Sequence, residues 1–357
     1  MSEELAIRSH RGVYHVRFTE EAFAPAAGAA LANAHVLVDR RVAELHQARL
    51  APLLALPSVL RLEASEATKS LEQLPAYVDH LVSHGIRRDH VLVAIGGGII
   101  QDVTCFLSST LLRGIAWRFF PTTLLAQADS CVGSKSSINA GTAKNILGTF
   151  TPPLDVTIDT RFLDTLDERD LRSGIGEMLK AHAIEGPDAF NAIATDYPRL
   201  LSERGVLRRY LRQSLEIKKP YVEADEFDRG IRNVFNYGQS FGHAIEAATQ
   251  FRIPHGIAVT IGCDMANHVA WRLGLADGGR AREMHRVFRK NFDGFETYPV
   301  PIDPFLTALS KDKKNVGSGT ASLILPRADG QLGKHLQKVD ETFRDICASY
   351  LSRDRSA

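Results

Sequence analysis

Short apolar runs alternate with segments of helical spacing through the first half of the chain. Between these runs, the spacing predicts helices over residues 69–83 and from Ile99 onward. Continuous apolar runs separated by helices are typical of a mostly parallel sheet that is covered on both faces. We predict the strands of that sheet over residues 36–38, 59–62, 91–95, 115–120 and 156–158.

The second half changes character at about Asp167. Its apolar positions predict helices, and residues 321–325 are the one good strand candidate, with a hairpin turn at Asp329–Gly330. We therefore predict an α/β N-terminal domain with a parallel nucleotide-binding sheet (residues 1–166) and a mainly α-helical C-terminal domain (167–357). The predicted C-terminal helices are 171–184, 207–223, 235–248 and 257–273.

Composition narrows the class of protein. The 357 residues carry 43 Lys and Arg against 42 Asp and Glu, and a net charge of +1 argues against a nucleic-acid coat or a polybasic membrane binder. The four cysteines form no CxxC pair, which argues against a disulfide framework and suits a reducing cytosol. With no signal-peptide pattern and no apolar run of roughly 18 residues, we expect a soluble cytoplasmic protein.

Gly96, Gly97 and Gly98 lie between a predicted strand and a predicted helix. Without side chains, this backbone can approach a phosphate at a helix N-terminus, although a tight turn alone would use the same residues. Asp102 follows one turn later, where a carboxylate also suits the helix dipole. The sequence therefore favours a nucleotide phosphate site here.

Residues 132–145 are rich in Gly, Ser, Asn and Thr, and their only charges are Lys135 and Lys144. This composition suits a loop that binds an anion through its lysines and Asn145. The alternative is a solvated loop with ordinary surface lysines.

Glu177 and Lys180 stand at i, i+3 on a predicted helix, a spacing typical of a surface ion pair. Because the residues around this pair are apolar, we expect the two side chains to be less than fully exposed.

Asn236, Gln239 and His243 share one predicted helix face, and His255 opens the next helix. A carboxylate and imidazoles from separate helices can bind a metal, although core or surface histidines are more common.

Together these segments resemble the sugar-phosphate cyclases, most closely 3-dehydroquinate synthase, over roughly residues 39–315. The matching runs are Gly96-Gly97-Gly98-x-x-x-Asp102, Arg113-Gly114, residues 121–130, Lys144-Asn145, Glu177-x-x-Lys180, residues 242–246 and His255-Gly256.

The resemblance implies a cleft between an NAD-binding domain and a helical metal-binding domain, in a cytoplasmic homodimer of the shikimate pathway and aromatic amino acid biosynthesis. It implies a carbon–oxygen (phosphate) lyase acting on a seven-carbon keto-acid sugar phosphate, by NAD-assisted oxidation, phosphate elimination, re-reduction and intramolecular aldol closure. NAD is not consumed, and a divalent metal, zinc or cobalt, acts as a Lewis acid.

By the same resemblance, four groups of residues receive roles. Those around the leaving phosphate are Arg113, Asn145, Lys180, His243 and Lys313. Those holding the substrate carboxylate and hydroxyls are Lys135, Lys218, Arg232 and Asn236, with Asp129 and Lys144 between nicotinamide and substrate. The metal ligands are Glu177, Gln239 and His255. The NAD contacts are Asp39, Glu66, Lys69, Gly97, Gly98, Ile99, Asp102, Thr122, Thr123, Leu125, Lys144, Thr165 and Leu166.

The chain departs from the family pattern most clearly at Gln239, where the family has a metal-binding His. An amide oxygen is a poorer zinc ligand than imidazole, so the site could bind metal weakly, prefer another ion or have lost it. Residues 133–136 and Arg41 also differ, which indicates a divergent paralogue. A cyclase acting on another sugar phosphate in secondary metabolism, a glycerol-dehydrogenase-type NAD oxidoreductase and a non-catalytic paralogue stay open as alternatives.

Overall fold

The computed structural model describes residues 4–20, 22–23, 33–141, 143–311 and 319–357. The chain divides into two compact units, one running to Leu166 and including Lys218–Phe227, the other made of Asp167–Ile217 and Asp228–Ala357. Lys313 and the alanine-rich run 24–32, an expected helix former, lie outside the described residues.

In the described part of the first unit, a seven-stranded sheet runs in the order β1-β2-β9-β6-β5-β3-β4. All neighbouring strands are parallel except the β1–β2 hairpin. The five predicted strands are confirmed, with bounds shifted by up to two residues. The strands of this unit are β1 (Glu4–Ser9), β2 (Gly12–Phe18), β3 (Ala34–Asp39), β4 (Val59–Leu62), β5 (Val91–Gly96), β6 (Ala116–Pro121), β7 (Ile138–Ala140), β8 (Ala143–Leu147) and β9 (Asp155–Ile158).

The helices of this unit are α1 (Arg40–Leu45), α2 (Gln47–Leu54), α3 (Leu74–Ser83) and α4 (Gly98–Thr110). The apolar side chains of β3 and β5, among them Val36, Val38 and Ile95, form a buried core beneath α1 and α2. Because β3, β5 and β6 are parallel, their carboxyl ends meet at one sheet edge, beside the start of α4.

Two local predictions in this unit were wrong. Helix α3 begins at Leu74, not at residue 69, because Leu71 N donates to Asn139 O (2.8 Å) and Asn139 N donates to Lys69 O (2.9 Å). The stretch 132–145, predicted as a loop, contains β7 and pairs it with β8 in a small hairpin. The late start of α3 arises from pairing with a segment distant in sequence, which local spacing does not show. The β7–β8 hairpin is local, but its polar residues contain no apolar run that would have indicated strands.

The second unit is mainly helical. Residues 256–270 of α9 are all buried, which is typical of a helix surrounded by others. The predicted hairpin is confirmed, with Gly330 in the turn at φ 79°. The elements are α5 (Glu168–Glu185), α6 (Pro187–Ser202), α7 (Arg204–Ala224), α8 (Gln239–Ala248), α9 (His255–Arg272), α10 (Gly278–Asn291), α11 (Ile302–Ser310), β10 (Thr320–Pro326), β11 (Leu332–Lys338) and α12 (Glu341–Ser352). The end of α7, from Lys218 on, belongs to the first unit.

The prediction of one helix over 235–248 was wrong. A 3₁₀ turn (Ile231–Asn236) precedes α8, and Gly238 between them has φ 74°. A Cβ on Gly238 would lie 2.4 Å from Cys263 Sγ, so the chain bends tightly against α9 there. Asn236 is therefore not on the helix face that Gln239 and His243 share.

Residues 218–227 were predicted to lie in the second domain, but they form part of the first unit. The β1–β2 turn holds them, since Arg8 N donates to Glu223 Oε1 (2.8 Å) and His10 N donates to Glu226 Oε2 (2.7 Å). The Phe227 ring meets Phe150 edge to face at 5.0 Å.

Among the helices in the described ranges, none is both long enough and apolar enough to span a membrane.

A histidine cluster lies at the amino-terminal edge of the parallel strands. Buried His35 shares hydrogen bonds with Ser58 Oγ (2.8 Å) and His90 Nδ1 (2.9 Å), and His80 and His84 stack nearby at 4.2 Å. Burial, reinforced by the positive charge that His90, His84 and His80 can carry, lowers the pKa of His35 to about 4. Folding therefore requires a neutral His35.

We expect this unit to lose stability in mild acid. The unfolded chain binds a proton at His35 near pH 6.5 and the fold does so only near pH 4, so the stability that neutral His35 contributes falls as the pH drops through this window. At pH 5 the loss from this group is up to about 2 kcal/mol. Urea unfolding of wild type and His35→Asn at pH 7 and pH 5 measures it. Equal losses in both proteins would contradict the assignment to His35.

Candidate active site

The sheet edge of the first unit carries the glycine turn. Helix α4 begins at Gly98, and a Cβ on Gly98 would meet no atom within 4 Å, so its surface is open to a ligand. At Gly97 a Cβ would lie 3.0 Å from Thr123 Cγ2, so Gly97 allows this close contact. Thr122 N donates to Gly96 O (3.0 Å), which places the predicted Thr122 and Thr123 beside the glycines.

Lys69 is the centre of a buried polar network next to this turn. Its Nζ donates to Asp102 Oδ2 (3.1 Å) and to Asn145 Oδ1 (2.9 Å), and Asp102 Oδ1 accepts from Ser137 N (3.0 Å). Burial raises the pKa of Asp102, against the opposing effect of the Lys69 charge. Asp102 therefore orients Lys69, a role beyond complementing the helix dipole.

Glu66 joins the same network from its outer side. Its Oε2 accepts from Asn139 Nδ2 (2.8 Å) and lies 4.0 Å from Lys144 Nζ, while Asn145 N donates to Asn139 Oδ1 (2.8 Å). The fold thus brings together five of the residues selected from the sequence: Glu66, Lys69, Asp102, Lys144 and Asn145.

Lys218 and Asp129 form a second pair in this unit. Lys218 is buried, and its Nζ donates to the Asp129 carbonyl (2.6 Å) and lies 3.0 Å from Asp129 Oδ1. Asp129 belongs to a π-helical turn, Ala126–Ser130, that follows the predicted Leu125. A lysine from α7 and a carboxylate 89 residues earlier in the chain are thereby held together.

Other predicted residues of this unit have different surroundings. Arg113 precedes β6, so it lies at the sheet edge opposite the glycine turn, where it lines a cavity of about 460 Å³ with Arg11 and Arg88. Asp39 caps α1 by accepting from Arg41 N (2.9 Å), and burial raises its pKa. Thr165 Oγ1 shares a hydrogen bond with His46 Nε2 (2.9 Å). The structure therefore does not bring Arg113 to the glycine turn. The roles predicted for Ile99, Leu166 and the exposed Lys135 stay predictions.

In the second unit, Glu177 and Lys180 form an ion pair between Glu177 Oε2 and Lys180 Nζ. Each residue is only 2% exposed, so the surface-pair interpretation is wrong. Lys180 Nζ also lies 5.9 Å from the centre of the Phe235 ring. A buried ion pair is weak evidence for stability, and its desolvation cost indicates a functional use.

Glu177, Gln239 and His255 converge from α5, α8 and α9. Gln239 Nε2 donates to Glu177 Oε1 (3.3 Å), and His255 Nε2 lies 3.5 Å from the same oxygen. Donors bound about 2.1 Å from one tetrahedral ion lie about 3.4 Å apart, so this spacing fits a divalent metal. Turning the Gln239 amide over places its oxygen where the nitrogen now lies, and all three residues then offer lone pairs once His255 has given up the proton on Nε2.

Glu246 is a residue that the sequence argument gave no role. Glu246 lies on the same face of α8 as Gln239, seven residues earlier, and His243, three residues earlier. Its Oε2 lies 3.1 Å from His255 Nδ1. Burial lowers the pKa of His255, but the Glu246 and Glu177 carboxylates raise it to about 10. The helical spacing from Gln239 is the signal that could have identified Glu246.

Arg232 is buried in the second unit, and Asn236 ends the 3₁₀ turn before Gly238. These two residues are close in sequence to the metal-ligand candidates, and their predicted contact with substrate stays a prediction.

Two glycines set the distance between α5 and α9. A Cβ on Gly176 would lie 2.2 Å from Gly256 O, and a Cβ on Gly256 would lie 1.8 Å from Ser173 O. These obstacles are backbone atoms, which cannot rotate away. Glu177 and His255, the neighbours of these glycines in sequence, are brought together by this contact.

Comparison with known families gives two matches. Residues 59–173 match the family described as 3-dehydroquinate synthase N-terminal, and residues 174–315 match 3-dehydroquinate synthase C-terminal. The 3-dehydroquinate synthase of Alkaliphilus metalliredigens is 36% identical over 282 residues, which are 78% of this chain and 79% of the relative.

Solved structures resemble the whole fold. The structure of 2-deoxy-scyllo-inosose synthase complexed with carbaglucose-6-phosphate, NAD+ and Co2+ has a TM-score of 0.84 at 22% identity and covers 98% of this chain and 100% of its own. The 2-epi-5-epi-valiolone synthase from Streptomyces hygroscopicus subsp. jinggangensis 5008, with NAD+ and Zn2+ bound, has a TM-score of 0.81 at 27% identity, covering 94% and 95%.

The glycine contact predicts the result of a single substitution. We expect Gly256→Ala to destabilise the protein by about 1–3 kcal/mol or more, because the new methyl overlaps the Ser173 carbonyl. Gly205→Ala is the matched control, since its Cβ meets no atom within 4 Å and alanine favours the helix by about 1 kcal/mol. Urea unfolding measures both. A Gly256→Ala protein as stable as wild type would contradict the packing argument.

Proposed function

The chain belongs to the 3-dehydroquinate synthase family, and from this membership we propose that it releases phosphate from a seven-carbon keto-acid sugar phosphate and closes the carbon ring. The observation that carries the proposal is the convergence of Glu177, Gln239 and His255 beside the buried ammonium of Lys180. In this reaction class, the protein is a carbon–oxygen lyase. We also propose that the protein is a cytoplasmic homodimer that acts in the shikimate pathway.

NAD and a divalent metal are the proposed cofactors, as in the two structural neighbours. The glycine turn and the Lys69 network would hold NAD, and Glu177, Gln239 and His255 would hold zinc or cobalt. When bound, NAD supplies reversible removal of a hydride from the substrate, and the metal supplies Lewis-acid polarisation of the oxygen on the same carbon.

Lys180 is proposed to stabilise the leaving phosphate. Negative charge grows on the phosphate oxygens as the carbon–oxygen bond breaks, and a positioned ammonium favours that change more strongly away from water. The Glu177 carboxylate offsets part of the cost of burying the Lys180 ammonium. His243, exposed on α8, is proposed to contact the same phosphate.

A carboxylated substrate is proposed because the chain retains Lys218, Arg232 and Asn236. The Lys218 side chain is already oriented by Asp129, so little freedom is lost when it binds a carboxylate. Arg232 offers the planar donor pair that suits carboxylates. A cyclase whose sugar phosphate carries no carboxylate has no use for these three residues.

A second candidate is a cyclase that acts on another sugar phosphate in secondary metabolism. Gln239 favours it, because the departure falls on a metal ligand while Glu177 and His255 are kept. The same assay, with other sugar phosphates, distinguishes the two candidates.

The central experiment measures phosphate release from 3-deoxy-arabino-heptulosonate 7-phosphate, with NAD and with zinc, cobalt or no added metal. We expect metal-dependent release without net NADH. Lys180→Gln should lower the rate at least about 100-fold while NAD binding is kept, because one placed charge contributes on this scale. Lys290→Gln, an exposed lysine of α10, is the control.

Three other outcomes each contradict the proposal. Release from a different sugar phosphate alone would favour the second candidate. Net NADH formation from a simple polyol would favour a dehydrogenase of the glycerol-dehydrogenase type. Absence of turnover and of metal binding would favour a non-catalytic paralogue.

Gln239→His is expected to raise zinc affinity on the order of tenfold or more, because imidazole binds zinc better than an amide oxygen does. Chelator competition measures this, with the exposed Gln331→His as control. An affinity that stays at the wild-type value in Gln239→His would show that residue 239 does not face the ion.

A further inference from the structure

The two nitrogens of His255 face two different carboxylates. Nε2 lies 3.5 Å from Glu177 Oε1, on the side where Gln239 also points. Nδ1 lies 3.1 Å from Oε2 of Glu246, which is buried on α8. The imidazole is therefore held between a candidate metal site and a carboxylate outside that site.

We propose that Glu246 is the positioning residue of the metal site, acting through His255. This inference rests on the metal-binding part of the proposed function and assigns Glu246 no contact with substrate or metal.

The reason lies in the tautomers of histidine. A neutral imidazole carries one N–H, and only the nitrogen without it can bind a metal. The Glu246 carboxylate can only accept, so it holds the N–H on Nδ1 and leaves the Nε2 lone pair directed towards Glu177 and Gln239. A carboxylate in this place also makes the imidazole more basic and the metal bond stronger.

The amide at residue 239 increases the demand on His255. Gln239 contributes a weak neutral donor, so much of the ligand strength must come from Glu177 and His255. Helix α8 carries both Gln239 and Glu246, two turns apart on one face. The backbone also ties Glu246 to the segment before α9, because Phe251 N donates to Glu246 O (2.7 Å).

A competing arrangement uses Glu246 as a ligand. His243, Glu246 and His255 offer donor atoms that lie within 4.8 Å of one another, and the two imidazole rings are 5.6 Å apart. A tetrahedral ion needs spacings of about 3.4 Å. On the Glu177 side of His255, the spacings to Glu177 Oε1 from residue 239 and from His255 Nε2 are 3.3 and 3.5 Å, so they match this value once the Gln239 amide is turned over.

The test measures zinc affinity of the purified full chain by chelator competition, together with the visible absorption spectrum of the Co2+ form. We expect Glu246→Leu to weaken zinc binding by about 10–100-fold, the range for groups that orient a metal-bound histidine. Glu246→Gln keeps an oxygen that can accept a hydrogen bond from Nδ1–H, so it should weaken zinc binding clearly less than Glu246→Leu does. His243→Asn should stay within about threefold of wild type, and its Co2+ spectrum should be unchanged.

The control is another partly buried histidine–carboxylate pair in the same unit, His285 Nδ1 with Asp264 Oδ2 at 2.7 Å. Asp264→Asn should change stability without changing zinc affinity, which separates positioning from general structural support.

Three results would overturn the proposal: unchanged affinity in Glu246→Leu, equal losses in the Leu and Gln variants together with a large loss in His243→Asn, or a wild-type chain that binds no metal. Phosphate release is scored separately. If the protein releases phosphate but its zinc affinity does not depend on Glu246, only this inference is refuted. If zinc affinity depends on Glu246 but no phosphate is released, only the proposed reaction is refuted.

Discussion

The contact between α5 and α9 at Gly176 and Gly256 is the constraint on which the candidate site depends. With no side chain at either position, the two backbones approach more closely than any other residue pair would allow. The sequence neighbours of these glycines, Glu177 and His255, then face each other across a distance that one metal ion can bridge. Gly238 serves the third helix in the same way, since it lets α8 start against α9 and points Gln239 inward.

Each of the two units also contains a buried ion pair. Lys69 with Asp102 in the first unit, and Lys180 with Glu177 in the second, are ion pairs largely withdrawn from water. Such pairs seldom stabilise a fold more than apolar residues of equal size would. Their placement next to a glycine turn and next to a carboxylate–imidazole cluster fits the proposed ligand binding, for which fixed charges in a low dielectric act strongly.

The sequence-based predictions succeeded where the signal is local. Apolar runs and helical spacing predicted the five central strands and the two-part architecture, and the combined motifs predicted the family, which the matches over residues 59–315 confirm. They failed where partners are distant in sequence. The late start of α3 and the attachment of residues 218–227 to the first unit depend on hydrogen bonds between segments that no spacing rule connects. The β7–β8 hairpin is local, and it was missed because its polar residues contain no apolar run.

The amino-acid sequence by itself determined which chemical groups are present: the glycine turn after a strand, the lysines and carboxylates, and the amide at residue 239. Only the tertiary structure decided how they are used. It buried the Glu177–Lys180 pair that i, i+3 spacing suggests is exposed, it placed Arg113 at the sheet edge opposite the glycine turn, and it set Glu246 against His255. The physical reason is that burial and the direction of a hydrogen bond are properties of packed surfaces, which form only when helices and strands distant in the chain meet.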